Sequence, residues 1–172
     1  SVSKGRVAVV SRVLSEQVEG ILRGSFDLHV HAGQDPGYEL RYDALDTGRF
    51  AHEAEMAGFV LKSHVHSTTE ISRAVSRVYP GLNVTGSVVL NAEVGGLNPD
   101  AVRSAAVEGA RVVWMPTNSA DDFLTSKKQG TGIRLVNSAG KLLPEVHAIL
   151  DIVRHRELVL ASGHVSPNEA IA

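Results

Sequence analysis

Phe26-Asp27-Leu28-His29-Val30-His31-Ala32-Gly33 reads as a short apolar strand that ends in two histidines and breaks at a glycine. Residues two apart on a strand point to the same face, so His29 and His31 are expected to project together from the strand's C-terminal end. Working outward, the same alternation repeats. An amphipathic lead-in (Val9, Val10, Val13, Leu14, Val18, Ile21, Leu22) predicts a helix ahead of Gly24, and strand one covers 25–30. Asp43 to Ala57 predicts a helix with Asp43 as N-cap and Gly58 just past its end. A second strand follows over 58–64. Ser67-Thr68-Thr69-Glu70 has the form of a capping box, opening a helix with the apolar stripe Ile71, Ala74, Val75 and Val78.

Further along, 83–90 predicts strand three, Asn98-Pro99 a capped helix start, and 111–115 strand four. The polar segment 118–141 is long for a connection and reads as an insertion over a site, with a small hairpin at 133–142. A periodic helix over 144–155, strand five over 157–162 and a second capping box at Ser166-Pro167-Asn168-Glu169 complete the pattern. Strands alternating with helices at this spacing predict α/β architecture with a parallel sheet. The specific expectation is a (β/α) TIM-type barrel with only about its first five β/α units present, which would leave strands one and five as open edges. On this reading residues 1–24 are a helical lead-in and residues 25–172 an incomplete barrel domain.

The bulk composition narrows the function classes. The chain has 172 residues, 43% hydrophobic, with a formal net charge of -2, eight histidines and no cysteine. The charge and the lack of a basic run argue against a nucleic-acid partner. No apolar run approaches the ~20 residues that span a bilayer, and the run 7–10 is too short for a signal peptide, so no membrane partner and a cytoplasmic location are expected. Without cysteine, thiolate metal sites and thiol nucleophiles are excluded, and histidine carries the remaining soft chemistry.

The strand ends concentrate that chemistry. His29 and His31 are candidate metal ligands, because two imidazoles on one rigid strand suit zinc or another borderline divalent ion. Val60-Leu61-Lys62-Ser63-His64-Val65-His66 ends strand two, where Lys62, His64 and His66 share parity. A lysine inside such a strand is costly to bury unless paired, neutralised or modified. It could serve as a substrate-binding cation, a base or a metal-bridging carbamate, or simply reach solvent. His64 is read as a ligand or substrate contact and His66 as a weaker substrate contact. His164, directly after Ala161-Ser162-Gly163, is a third candidate ligand. Asn91 and Thr117, polar at the ends of strands three and four, are candidate substrate contacts. Glu93 reads as a surface carboxylate, Asp27 as structural or as an orienter of the histidines, and His52, His147 and His155 as solvent-facing.

Asp27-Leu28-His29-Val30-His31-Ala32-Gly33 resembles the first-strand signature of the amidohydrolase superfamily. Together with Val60 to His64, Val89-Leu90-Asn91, Gly95 to Pro99, Val113 to Thr117 and Ala161 to His164, it looks like an uncharacterised bacterial branch of metal-dependent hydrolases within it. The resemblance implies a (β/α) barrel with His29, His31 and His164 as metal ligands, zinc first with manganese or iron as alternatives. It further implies a hydrolase for a small amide, lactone or related substrate; beside it, the reading of the strand ends takes Lys62 and His64 as catalytic groups that bind metal, orient water or stabilise developing negative charge. Strand four ends in Thr117 rather than the lysine of many members, and a strand-six histidine and strand-eight aspartate have no counterpart here. Three alternatives stand beside this: a phosphoesterase of the polymerase-and-histidinol-phosphatase type, a metal-dependent decarboxylase, and a metal- or ligand-binding module without turnover. The expected partner is a small-molecule substrate, with a homo-oligomer left open.

Overall fold

A computed structural model describes residues 16–33, 35 and 38–172. Residues 16–22 are helical, as the lead-in predicts for that part; residues 1–15 lie outside the described residues. The strands are β1 (Phe26–His31), β2 (Gly58–Lys62), β3 (Asn83–Thr85), β4 (Ser87–Val89), β5 (Val112–Trp114) and β6 (Val159–Ala161). Between them run the helices α1 (Ala44–Glu53), α2 (Thr69–Val78), α3 (Pro99–Glu108), α4 (Asp121–Ser126), α5 (Pro144–His155) and α6 (Pro167–Ile171).

Several of these elements have local causes. Asp43 caps α1 by accepting from the Asp46 N–H, and Asn98 caps α3 by accepting from the Asp100 and Ala101 N–H groups. Pro144 opens α5, which buries Val146, Ile149 and Val153 along one stripe. Ser166 and Glu169 form the reciprocal capping box of α6. The box expected at Ser67 to Glu70 does not form. Thr68 is the N-cap there, and its hydroxyl donates instead to Leu61 O at 2.7 Å and Ser87 O at 3.2 Å, tying β2 to β4.

The TIM-type barrel expectation is overturned. The strands form two three-stranded parallel sheets, ordered β1-β2-β3 and β4-β5-β6, and no barrel closes. Strand three is split: 83–85 pairs with β2, while 87–89 pairs with β5. The break falls at Gly86, where a Cβ would come within 2.6 Å of the Thr69 Cα, so α2 is pressed against the strand at that point. The outer strands β1 and β6 have no further strand partner among the described residues, and Phe26, Leu28, Val159 and Leu160 stay exposed on them. Part of a barrel would be one continuous sheet, and the spacing of β/α units does not encode the break that divides it in two.

Side-chain alternation divides the sheets into two faces. Phe59, Leu61 and Val84 pack with Ala44, Ala51 and Val75 of α1 and α2, while Val88, Val113 and Met115 pack with Val102, Val146 and Ile149 of α3 and α5. On the opposite face Val60, Val89, Val112 and Trp114 form a smaller cluster that joins the two sheets. Lys62 shares parity with Val60, and the candidate centre is built at the C-terminal ends of the strands beside this cluster. Among the described residues no helix is long and apolar enough to cross a membrane.

Candidate metal centre

The β1 histidines owe their placement to an irregularity. Asp27 is registered with Phe59 but Val30 with Leu61, so β1 carries one extra residue relative to β2. A bulge of this kind re-aims side chains next to sites. The Asp27 carboxylate accepts from the His29 backbone N–H at 2.9 Å, which satisfies a donor near the bulge. The His29 and His31 Nε2 atoms end 3.0 Å apart. Two nitrogens each ~2.1 Å from one ion, at about a right angle, would be separated by about this much.

His64 closes the opposite wall. Its ring stacks on His31 with centroids 4.5 Å apart, and Tyr38 stacks on its far side at 5.2 Å. Asp35 accepts from the His64 Nδ1–H at 2.7 Å and from the His64 backbone N–H at 3.2 Å. A carboxylate can only accept, so Nδ1 carries the proton and Nε2 presents its lone pair. This is the arrangement by which a carboxylate orients a metal-binding imidazole. One ligand atom each from His31, Asp35 and His64 lie within 4.8 Å of one another, and Asp35 Oδ1 is buried without a partner.

His164 reaches the same pocket through a glycine. Gly163 has φ +66°, and a Cβ there would lie 2.3 Å from Met115 O and 2.5 Å from Pro116 O, so only glycine passes this closely. The His164 N–H then bonds Pro116 O at 2.9 Å, and Phe123 of α4 lies against the ring at 4.9 Å. The long polar insertion thus contributes a residue at the edge of the site.

Lys62 is registered opposite His31 and is 2% exposed. Its Nζ lies 5.0 Å over the Trp114 ring, which in turn is 4.7 Å from the His29 ring. Burial lowers the Lys62 pKa to about 8, opposed by the negative charge of Asp35. Burial also lowers His31 to about 4, helped by the Lys62 charge, and moves His29 and His164 in the same direction. Neutral imidazoles are the form that binds metal.

His29, His31, Asp35, Tyr38, Leu40, Lys62, His64 and His164 line this one pocket, of about 260 Å³. The structure therefore gathers five of the sequence-predicted residues and leaves out three. His66 does not follow the parity of Lys62, because the strand ends there and the chain bends. It pairs with Ser63 Oγ at 3.1 Å and lines a separate pocket beside α1. Asn91 and Thr117 are buried and occupied with the protein itself. Asn91 donates to His64 O at 3.0 Å and Thr117 Oγ1 at 2.9 Å, and accepts from the Thr117 N–H at 2.8 Å. They fasten the β2, β4 and β5 ends together and fix the backbone of His64.

Sequence reasoning missed Asp35, Tyr38 and Trp114. The available signal for Asp35 was a carboxylate four residues beyond His31 in a Gly- and Pro-containing turn. Glu93 is exposed, as are His52, His147 and His155.

Residues 24–172 match a protein family described as "Family of unknown function (DUF6282)". The chain belongs to that family. No curated protein and no solved structure matches it. The family match spans β1 through α6, and so takes in every residue of the pocket.

Proposed function

We propose that the chain is a metal-dependent hydrolase acting on a small molecule. The observation that carries this reading is the convergence of His29, His31, His64, His164 and Asp35 on one pocket from three separate strand ends and a loop. Clusters of imidazoles with a buried carboxylate suit zinc, with manganese or iron as alternatives. When bound, a divalent ion polarises the scissile bond and brings the pKa of a water toward ~7.

The chain's own residues do the rest. His29 and His31 bring their Nε2 atoms together, His31 groups with His64 and Asp35, and Asp35 accepts from the His64 Nδ1–H. His164 closes the ring of ligands from β6. Lys62 supplies fixed positive charge for an anionic group in the pocket. Tyr38 and Leu40 complete the lining of the pocket.

The likeness of the Asp27 to Gly33 segment to the amidohydrolase superfamily favours amide or lactone hydrolysis. The presence of His64 from the end of β2 favours a second reading, phosphoester hydrolysis, since the polymerase-and-histidinol-phosphatase type pairs such a histidine with a first-strand pair. A panel of amides, lactones, esters and phosphoesters, run on protein stripped of metal and then reloaded, tests both. The expected result is turnover of one class that is lost on chelation and restored by a divalent ion. Turnover insensitive to chelation would overturn the reading.

A further inference from the structure

Lys62 is 2% exposed, on the middle strand of the first sheet, with its side chain lining the histidine pocket. Among the described residues its Nζ makes no hydrogen bond or ion pair, and it lies 5.0 Å over the Trp114 face. An ammonium has three donors, and at the end of a largely buried side chain each of them gains from an acceptor in the pocket. A ring face attracts the charge but accepts no conventional hydrogen bond. The one carboxylate of the pocket, Asp35, gives its Oδ2 to His64 and makes no hydrogen bond to Lys62.

Charge points the same way. Asp35 is the one carboxylate lining the pocket against the Lys62 ammonium, and any divalent ion at the histidines leaves a surplus of positive charge. An acceptor that arrives with the ligand satisfies the amine and the surplus together. The remaining walls are Tyr38 and Leu40, which suit the short carbon body of a ligand. The pocket of about 260 Å³ is small, below the range of ~300–1,000 Å³ usual for drug-sized ligands.

We propose that the ligand of this pocket is a small organic acid whose carboxylate, or a comparable anionic oxygen group, is anchored by Lys62. The placement of that group beside a metal rests on the hydrolase reading above. The anchor itself does not, since Lys62 and Trp114 face the pocket without any ion. Lys62 thereby sets specificity: it selects acids over their neutral amides.

The chain contains a single tryptophan, Trp114, against the Lys62 amine, so intrinsic fluorescence reports on the anchor directly. Succinate and its neutral counterpart succinamide are titrated into metal-free and zinc-loaded protein, for the wild type, Lys62→Met and Lys62→Gln. The wild type is expected to bind succinate about tenfold or more tightly than succinamide in both forms, as befits a charge-assisted hydrogen bond. Both variants should lose that preference, binding acid and amide alike. Equal binding of acid and amide by the wild type overturns the proposal and needs no variant, so a misfolded variant does not protect it. No saturable response to succinate, or an unchanged preference in a folded variant, overturns it as well. Failure to take up zinc would defeat the hydrolase reading, whereas the acid preference of the metal-free protein would still stand.

Discussion

Replacing Asp35 with asparagine removes one negative charge and little volume from the centre of the site. The side chain is 3% exposed and makes two contacts, both to His64, at 2.7 and 3.2 Å. Asparagine can still offer one oxygen to the Nδ1–H, so the ring orientation survives while both bonds become neutral. Hydrogen bonds to a charged partner contribute ~1.5–3 kcal/mol and neutral ones ~0.5–1.5 kcal/mol. The substitution is therefore expected to cost about 1–3 kcal/mol of metal binding, through a less basic and less firmly held His64. That corresponds to roughly tenfold to a hundredfold in affinity, the range usual for partners that orient metal-binding histidines. Competition against a chromophoric chelator at fixed pH measures the change, with thermal melting of the metal-free variant alongside. Affinity within about twofold of the wild type would refute the reasoning. A lowered melting temperature with unchanged metal affinity would make Asp35 a residue of the fold alone.

Two further outcomes follow from the same geometry. His31 keeps a pKa of about 4 in the folded, metal-free chain against 6.5 in the unfolded one, so below pH 6.5 the unfolded state binds the extra proton. Stability should fall as pH drops from about 6.5 toward 4 and then level off, with His29 and His164 acting in the same direction. The slope is at most about 1.4 kcal/mol per pH unit for each group, and less for these partly solvated rings. Denaturant titrations of metal-free protein across that interval check it, and rising stability on acidification would contradict it. Gly163→Ala should cost about 1–2 kcal/mol from its left-handed backbone alone, and more from the two carbonyls that its Cβ would strike. Urea midpoints and metal affinity should both fall, and a neutral result would remove Gly163 as the device that places His164.

The parts of the fold legible in the sequence are those with local causes. Asp43, Asn98, Pro144 and the Ser166–Glu169 box each announce a helix start through groups within four residues, and the structure uses each of them. Features set by distant partners stayed hidden. The Thr68 hydroxyl is drawn away from capping by Leu61 and Ser87, and strand three breaks because α2 presses on Gly86. Repeat spacing predicts part of a barrel in one continuous sheet, but spacing does not contain the break at Gly86 that divides the strands into two sheets. In the site, His29, His31, Lys62, His64 and His164 were visible because histidines and a lysine at apolar strand ends are chemically conspicuous. Asp35 was not, because a carboxylate in a turn looks like solvent-facing polarity until the fold brings it against His64. Asn91 and Thr117 looked like ligand contacts, and are instead spent on each other and on the His64 backbone.

The central claim is that His29 and His31 seed a metal centre, and elemental analysis of the purified protein tests it most directly. The wild type should carry a stoichiometric divalent metal, zinc foremost, after removal of loosely bound ions. His29→Ala combined with His31→Ala should lose it, with circular dichroism confirming that the helices and sheets persist. A double variant that folds and retains the wild-type metal content, or a wild type that takes up no divalent ion when supplied with one, would contradict the account.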